Sequence, residues 1–292
     1  TFCTDNHGFR YKCDSESRGK NFDYAFMGDS FTEGSSVSYG DSFVGIFENT
    51  TNKEVANLGV VSYAPKIYLS KLNYLLEKGF NFNHVIIPID ISDLYDDDVS
   101  YRLKKDLIVM DNYERGKRLK IRKFLRKNFP FTNFYMFVIK NLNEVGYEPV
   151  NLDVNKPVFH KDVKLKAKWT YSSEEFIDGY WSPLIKAQDE MLETMSKLYE
   201  LLEKRNIKLS IVVYPWPQQL ENDDKNSKHV KMWEKFCKEK CDNFINLFPI
   251  FFQEKEDSGF LVTYKKYYWW NDMHFNIEGN RIVAKEILNY FK

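Results

Sequence analysis

The sequence predicts an α/β fold built on a central parallel sheet of about five strands. Five short apolar runs are spaced along the chain, each of a length typical of a buried strand. The segments between them carry apolar residues three or four positions apart, as in Met191, Met195, Leu198 and Leu202. Strands that alternate with helices in this way indicate a parallel sheet. The predicted strands are residues 24–28, 55–58, 85–89, 209–214 and 244–247.

Two of the predicted helices begin at residues suited to capping. Ser182 followed by Pro183 favours a helix start, because serine can accept from free backbone N–H groups and proline fits the first turn. This helix is predicted to run to about Arg205. Asn276 is a similar cap for the last helix. The residues just before Asn276 are therefore predicted to form a loop at a helix N-terminus.

A long interruption separates the third strand from the next core helix. We expect one domain over residues 1–292, with its core in residues 21–95 and 182–292 and a largely helical insertion at about 96–181, since ordinary connections are far shorter. Within the insertion, residues 115–127 contain eight basic and no acidic residues and an apolar stripe at helical spacing. Such a basic helix could contact an anionic membrane or a charged glycan, but most pack on their own domain.

Charge and hydropathy exclude some classes of partner. The 42 Lys and Arg balance 42 Asp and Glu, so no net field draws the protein to nucleic acid and no nucleic-acid partner is expected. No apolar run reaches the ~18 residues that a membrane helix needs. Because the chain begins at Thr1 rather than Met, the lack of a signal peptide carries no weight. Anchoring by a segment outside this sequence stays open.

Four cysteines form two local pairs, Cys3 with Cys13 and Cys237 with Cys241. The even count is compatible with disulfides in an oxidising compartment, and unpaired buried thiols are equally compatible. The second pair is four residues apart in a helix-like stretch, where an ideal helix holds the side chains slightly too far apart for a bridge. Neither pair has the spacing of a zinc site, and we predict no metal and no cofactor.

A serine stands where the first predicted strand gives way to a turn, in Gly28-Asp29-Ser30-Phe31-Thr32-Glu33-Gly34. Open α/β sheets bind ligands at this edge, where backbone N–H groups can stabilise an oxyanion. The Ser30 hydroxyl is inert unless a base takes its proton. The alternative is that Asp29 or Ser30 only caps a helix.

The candidate base lies near the other end of the chain. Asp272 and His274 are two residues apart on the loop before the last helix. His274 would accept the proton of Ser30, and Asp272 would hold the tautomer of the ring and stabilise the imidazolium. The remaining histidines have no nucleophile nearby in sequence; they are His7, His84, His160 and His229. Without Ser30, His274 would be interpreted as a structural residue.

These motifs resemble those of the SGNH hydrolases, also called GDSL-like lipases and esterases. Gly28-Asp29-Ser30 matches the first block of the family, the glycine of Asn57-Leu58-Gly59 its second, and Asp272 with His274 its last. The resemblance covers both ends of the chain and leaves out mainly the insertion. It implies a three-layer, flavodoxin-like fold and an oxyanion hole formed by the N–H groups of Ser30 and Gly59.

The third block departs from the family pattern. The family has a Gly-x-Asn-Asp block whose asparagine donates to the oxyanion, whereas this chain has Ile87-Pro88-Ile89-Asp90-Ile91-Ser92-Asp93. We predict Ser92 as the replacement donor, because an ionised Asp90 would repel an oxyanion. Asp90 and Asp93 would instead bind substrate hydroxyls or order the loop. The acidic run at residues 96–98 is interpreted as a solvated loop rather than a cation site.

Trp216 and Gln218 are predicted at the same edge, because they follow the fourth strand in Tyr214-Pro215-Trp216-Pro217-Gln218-Gln219. Trp216 could stack on a pyranose ring, and Gln218 could bond to its hydroxyls. The alternative is a rigid packed corner, which is common for a proline-rich turn.

The layout, including the arm Asn6-His7-Gly8-Phe9-Arg10, is similar to SGNH proteins associated with bacterial envelope polysaccharides. The resemblance implies a serine esterase or O-acyltransferase that adds or removes O-acetyl groups through an acyl-Ser30 intermediate, in the periplasm or elsewhere outside the cytoplasm. Expected partners are an acylated carbohydrate or another acyl donor, and a membrane protein that transfers acyl groups.

Two alternative functions stay open. One is a catalytically weak glycan-binding or assembly protein, and the other is a lipase or lysophospholipase that contacts the membrane through residues 115–127.

Overall fold

The computed structural model describes residues 2–13, 15–104, 107–110, 156–159, 161–175 and 182–291. Its strands are β1 (Cys3–Thr4), β2 (Arg10–Tyr11), β3 (Asn21–Phe26), β4 (Val55–Asn57), β5 (Asn81–Ile89), β6 (Tyr101–Lys104), β7 (Leu107–Met110), β8 (Lys208–Val213) and β9 (Asn243–Asn246). Its α-helices are α1 (Ser30–Glu33), α2 (Phe43–Thr51), α3 (Pro65–Glu77), α4 (Ser92–Tyr95), α5 (Lys161–Lys168), α6 (Leu184–Glu203), α7 (Pro217–Asn222), α8 (Lys228–Lys240), α9 (Phe248–Ser258), α10 (Phe260–Tyr267) and α11 (Ile277–Leu288). A 3-10 turn spans Tyr39–Asp41, and a π-helical turn spans Asp96–Ser100. None of the helices in these ranges combines the length and apolarity needed to cross a membrane.

The central sheet has five parallel strands in the order β4-β3-β5-β8-β9. Along the chain these are the second, first, third, fourth and fifth strands of the sheet, which is the flavodoxin-like order. The chain runs from β3 outward to β4 and then back across β3 to β5, and right-handed crossovers in these opposite directions place helices on both faces. On one face α2 packs with α11, and on the other α3 packs with α6. The predicted α/β class and five-stranded parallel sheet are confirmed.

Helices on both faces make the central strands almost wholly apolar. In β5 every residue from His84 onward is buried, as expected of a parallel strand covered on both sides. The strand nevertheless begins earlier than predicted, at Asn81, whose backbone pairs with Asn21 of β3. Asn81 and Asn83 are exposed, so their polar side chains interrupt the apolar run although their backbone belongs to the sheet.

The two predicted helix starts have different outcomes. Asn276 caps α11 as predicted, because its side chain accepts from the N–H of Gly279. In α6 the N-cap residue is Pro183, and no side chain caps the helix. The predicted cap by Ser182 is wrong: the N–H of Ser182 donates to Asp98 Oδ2 at 3.1 Å, which holds this residue outside the first turn.

The acidic run at residues 96–98 is largely buried rather than solvated. Asp96 accepts from Lys166 Nζ of α5 at 2.9 Å on both oxygens. Asp97 accepts from the backbone N–H of Lys66 at 2.8 Å and pairs with its Nζ. Cations from two helices thus compensate the carboxylates, which corrects the prediction of a solvated loop.

Within the described ranges no cluster of His, Cys, Asp or Glu could hold a metal ion. The predicted basic helix, like most of the predicted insertion, lies outside these ranges.

Replacing Lys166 by methionine is expected to lower the free energy of unfolding by about 3 kcal/mol, because it leaves Asp96 buried without its cation. Urea unfolding followed by circular dichroism measures this change. The exposed pair of Lys197 with Glu193 is the control, since Lys197→Met removes an ion pair of little energetic value. Equal effects of the two variants would contradict the assignment of Asp96 as a buried anchor.

Both cysteine pairs are disulfides, with Cα–Cα distances of 5.2 Å for Cys3 and Cys13 and 4.6 Å for Cys237 and Cys241. The second bridge avoids the helical spacing that the sequence suggested. Helix α8 ends at Lys240, and Cys241 just beyond it has an extended backbone conformation, so the bridge lies at the helix terminus rather than within regular helix.

Candidate active site

Ser30 is the first residue of α1, the short helix that follows β3 at the carboxyl edge of the sheet. Asp29 caps this helix, because its Oδ1 accepts from the N–H of Phe31 at 2.9 Å. Position 28 requires glycine, since a Cβ there would lie 2.1 Å from Thr32 Oγ1. The turn therefore contains the helix cap considered as an alternative, and it also places Ser30 at the edge where ligands bind.

Ser30, His274 and Asp272 form a continuous chain of hydrogen bonds. Ser30 Oγ lies 2.8 Å from His274 Nε2, and His274 Nδ1 lies 2.6 Å from Asp272 Oδ1. An ionised carboxylate can only accept, so the proton lies on Nδ1 and Nε2 is left to accept from the serine hydroxyl. The structure thus brings together the three predicted catalytic residues in the arrangement of a serine-hydrolase triad.

A tightly bonded loop carries Asp272 and His274. Its ends meet at an antiparallel bridge between Tyr268 and Phe275, and the N–H of Trp269 donates to the carbonyl of His274 at 3.0 Å. The hydroxyl of Tyr264 accepts from the N–H of Asp272 at 3.1 Å and lies 2.7 Å from the carbonyl of Trp269. This loop is anchored from within and from α10, so it can hold the imidazole in a fixed orientation.

The carboxyl groups near Ser30 differ in their tendency to ionise. Burial opposes the charge of Asp272, but hydrogen bonds from the ring and backbone of His274 outweigh it and lower the pKa of Asp272. Burial raises the pKa of Asp29 well above its usual range, and the neighbouring Asp90 and Asp93 raise it further. Asp29 Oδ2 lies 3.4 Å from Ser30 Oγ. Burial thus opposes a negative charge on Asp29 beside the serine, whereas hydrogen bonds favour one on Asp272 behind the histidine, which suits a serine nucleophile.

Gly59 lies against the nucleophile turn, but its N–H group is not free. A Cβ at this position would lie 2.5 Å from the backbone nitrogen of Glu33, so only glycine fits. The N–H of Gly59 donates to Asn57 Oδ1 at 3.0 Å, and Asn57 Nδ2 donates to the carbonyl of Thr32 at 2.8 Å. The prediction of Gly59 as a ready oxyanion donor is therefore wrong for this structure. The N–H of Ser30 bonds to no atom of the described residues and stays available.

The third block forms a closed network around Asp90. The N–H and the hydroxyl of Ser92 both donate to Asp90 Oδ1, at 2.7 and 2.8 Å. Ser92 therefore presents no donor to an oxyanion, and its predicted role is wrong for this structure. Asp93 accepts from the N–H of Asp90 at 2.8 Å and from the hydroxyl of Tyr68 at 2.6 Å. Asp90 and Asp93 are both buried, so they order the loop, as the alternative prediction held, and do not meet substrate.

Trp216 belongs to the packed corner that the sequence allowed as an alternative. Its indole is 2% exposed, stacks on Phe31 with ring centroids 6.1 Å apart, and donates from Nε1 to Asp90 Oδ2 at 3.0 Å. The buried carboxylate thus holds the indole inward, and the predicted stacking of Trp216 on a sugar is wrong for this structure. Gln218 is equally buried, and its amide has no hydrogen-bond partner among the described residues, so its contact with substrate stays a prediction.

Trp216→Phe is expected to lower the free energy of unfolding by about 1–3 kcal/mol, because it keeps an aromatic ring but leaves Asp90 Oδ2 without its donor. Chemical denaturation gives this number, with Trp270→Phe at an exposed site as the control. A change in KM for ester substrates at unaltered stability would instead indicate that Trp216 contacts substrate.

A second serine–histidine pair exists, but at the opposite edge of the sheet. His84 Nε2 lies 2.8 Å from Ser210 Oγ, near the amino ends of β5 and β8. Burial lowers the pKa of His84 to about 4, and none of its described hydrogen bonds joins it to a carboxylate. His229 is also buried, and burial lowers its pKa to about 4. Among these histidines His274 alone has both a nucleophile and an orienting carboxylate.

Three residues that support the triad were not predicted. Phe31 packs its ring 4.8 Å from the ring of His274. Asn57 links the first and second blocks, and its position directly before Leu58-Gly59 is the sequence signal that could have indicated it. Tyr264 organises the Asp272 loop through its hydroxyl. No local pattern identifies Tyr264, because its role depends on how the loop folds back onto α10.

No family model matches the chain, and no curated protein matches it either. Solved structures do match over most of the chain. A catalytic mutant of an acetylxylan esterase from Geobacillus stearothermophilus is 12% identical, covers 93% of this chain and 94% of its own, and has a TM-score of 0.49. A psychrotrophic esterase from Pseudoalteromonas sp. is 10% identical, with 94% and 97% covered and a TM-score of 0.42. A GDSL-like lipase from Bacteroides thetaiotaomicron is 12% identical, with 92% and 86% covered and a TM-score of 0.42. Identities this low carry no information on the substrate.

Proposed function

We propose that this protein is a serine esterase or O-acyltransferase in which Ser30 carries the acyl group. The observation that carries the proposal is the hydrogen-bonded chain from Ser30 Oγ through His274 to Asp272. A serine hydroxyl becomes a nucleophile when a base is within hydrogen-bond reach and a third group orients that base. Both conditions are met at the edge of the sheet where ligands of this fold bind.

In the first half-reaction Ser30 Oγ attacks the carbonyl carbon of an ester while its proton passes to His274 Nε2. The tetrahedral intermediate collapses by breaking the bond to the alcohol oxygen, which takes the proton back from Nε2. Asp272 stabilises the imidazolium between these two steps. The free N–H of Ser30 can donate to the oxyanion.

In the second half-reaction an acceptor hydroxyl attacks the acyl-Ser30 carbonyl and gives its proton to His274 Nε2. The bond from the acyl carbon to Ser30 Oγ then breaks, and Nε2 returns the proton to Oγ. Water as acceptor gives an esterase, and a sugar hydroxyl gives an O-acyltransferase. The two outcomes share every residue of the triad and differ in whether water is excluded while the acceptor is held.

The proposed substrate is an O-acetyl group on an envelope polysaccharide, outside the cytoplasm. This part of the proposal draws on the resemblance of the sequence motifs to SGNH proteins of that kind. Two disulfides are in keeping with an oxidising compartment. The proposed partners are an acylated carbohydrate or another acyl donor, and a membrane protein that supplies acyl groups.

Two measurements test the proposal. A serine-directed phosphonate should label Ser30, as mass spectrometry of the digested protein would show, and the intact protein should release acetate from a chromogenic ester. Failure of both would refute the ester chemistry. Mass spectrometry of surface polysaccharide from cells with wild-type or Ser30→Ala protein then separates the two activities, because a gain of acetyl groups in the variant indicates an esterase and a loss indicates a transferase.

A second candidate is a glycan-binding or assembly protein with weak catalysis. The engagement of Gly59 by Asn57 and of Ser92 by Asp90 favours it, because two predicted oxyanion donors are occupied. Loss of one such donor typically costs about 10²–10³ in rate. Under this alternative the Ser30→Ala protein would keep its cellular function, and a loss of polysaccharide acetylation would argue against it.

A further inference from the structure

The triad loop presents an exposed tryptophan on the same face as the catalytic histidine. Tyr268 and Phe275 pair across the loop, and both side chains are buried. Side chains alternate between the two faces of an extended segment, so the next pair outward, Trp269 and His274, projects to the opposite face. The hydrogen bond from the N–H of Trp269 to the carbonyl of His274 places these two residues directly opposite each other. Trp269 is 41% exposed.

The backbone beneath Trp269 is held firmly, so its exposure is a stable feature of the site. The carbonyl of Trp269 accepts from the N–H of Asp272 at 3.1 Å and lies 2.7 Å from the hydroxyl of Tyr264. Asn271, whose φ of 61° lies in the left-handed region, completes the turn and accepts from the N–H of Val158 at 2.8 Å. An indole on so constrained a loop needs little further ordering to bind a ligand.

We infer that Trp269 is a specificity-determining residue that stacks on the pyranose ring bearing or accepting the acyl group. The inference rests on the proposed ester chemistry at Ser30 and adds the class of substrate. An indole offers a flat apolar face and a polar edge, which suits a sugar ring with its apolar C–H face and its hydroxyl rim. Asn271 and Asp272 follow it within three positions, and both are at least partly exposed, so polar groups flank the indole in the chain.

Trp270 provides a matched control on the same loop. It is exposed to a similar extent, at 38%, but its ring packs 5.6 Å from that of Tyr264 and lies beneath Lys265 Nζ at 5.0 Å. Trp270 lies in the turn beyond the paired residues, and its ring packs back on Tyr264 rather than opposite His274. Its replacement removes as much exposed aromatic surface without touching the inferred sugar platform.

The test compares an ester with a sugar and an ester without one. The substrates are a peracetylated methyl β-glucoside and 4-nitrophenyl acetate, assayed with the wild type, Trp269→Ala, Trp269→Phe and Trp270→Ala. We expect Trp269→Ala to raise KM for the glucoside about tenfold, with kcat and the hydrolysis of 4-nitrophenyl acetate little changed. Trp269→Phe should restore most of the affinity, and Trp270→Ala should behave as wild type. Equal effects of Trp269→Ala on both esters, or no difference between the two alanine variants, would overturn the inference.

Binding measured without catalysis separates this inference from the proposed function. Calorimetry of the Ser30→Ala protein with the acetylated glucoside should show saturable binding that Ser30→Ala/Trp269→Ala loses. Loss of that binding in the double variant supports the role of Trp269. If the wild type then turns over no ester, the proposed function fails and the inference on Trp269 stands. If the wild type hydrolyses 4-nitrophenyl acetate but binds no acetylated sugar, or prefers a long-chain ester through Trp269, the ester chemistry stands and the sugar platform is refuted.

Discussion

Ser30→Ala is expected to lower kcat for 4-nitrophenyl acetate by about 10⁴-fold or more, which is the scale of loss when a triad nucleophile is removed. The reason is that no other hydroxyl among the described residues lies within hydrogen-bond distance of His274 Nε2. Initial-rate kinetics with purified protein measures the change. The thermal midpoint should stay close to that of the wild type, because the Ser30 hydroxyl is not the cap of α1; Asp29 is.

Ser35→Ala is the matched control for this experiment. Ser35 follows the same turn, but its side chain is exposed and forms no hydrogen bond within the described residues. Its replacement should leave kcat unchanged. If Ser30→Ala and Ser35→Ala retain the same activity, hydrolysis does not pass through an acyl-Ser30 intermediate.

Asp272→Asn is expected to lower kcat by about 10³-fold, because the amide can donate to His274 Nδ1 and so favours the tautomer whose Nε2 carries the proton. That tautomer cannot accept from Ser30. The loss should be smaller than for Ser30→Ala, since the Asp272 side chain is 43% exposed and water can partly replace the carboxylate. The effect should fall on kcat, with KM little altered, because Asp272 lies behind the imidazole rather than against the nucleophile.

Asp242→Asn is a suitable control for Asp272→Asn. Asp242 is 40% exposed and pairs with Lys208 at the far edge of the sheet, so its replacement removes an equally accessible carboxylate without reaching the site. The two proteins should share one unfolding transition and differ only in rate. Activity of Asp272→Asn close to that of Asp242→Asn would show that another group orients His274.

The two catalytic variants test which residues take part in the reaction, and the two stability variants test which residues hold the fold. Trp216 lies close to the nucleophile, since it stacks on Phe31, yet its loss is expected to weaken the fold rather than the reaction. Its indole N–H is bonded to Asp90, and Asp90 in turn holds Ser92. A residue can therefore lie close to Ser30 without a role in the reaction. The partner to which its polar group is bonded indicates its role better than its distance from Ser30.

The parts of the molecule that sequence predicts well depend on local patterns. The five core strands were found as apolar runs, because parallel strands covered on both faces leave few polar positions. The triad was found because Gly28-Asp29-Ser30 and the Asp272-to-His274 spacing are short motifs at predicted strand and helix ends. The cap by Asn276 was found for the same reason, since a cap and its helix are neighbours in the chain.

Two of the incorrect predictions concern side chains whose partners lie far away in the chain. Trp216 bonds to Asp90 across 126 residues, and Lys166 reaches Asp96 across 70. No local pattern indicates either pair, so the sequence leaves Trp216 open between a sugar contact and a packed corner, and it predicts a solvated loop for the acidic run. For Gly59 the sequence predicts the position beside the nucleophile turn but not whether its N–H is free. That depends on the rotamer of Asn57, whose Oδ1 accepts from this N–H.

By itself, the sequence determined the class of fold, the order of its elements and the three residues of the triad, because each is encoded by periodicity or by a short motif. Only the tertiary structure decided which polar groups around the triad are available. The folded loops bond Ser92 to Asp90 and Gly59 to Asn57, and Trp216 reaches Asp90 from a distant element. Trp269, beside His274, stays exposed. A hydrogen-bonding group can serve a substrate only if the folded protein has not already satisfied it.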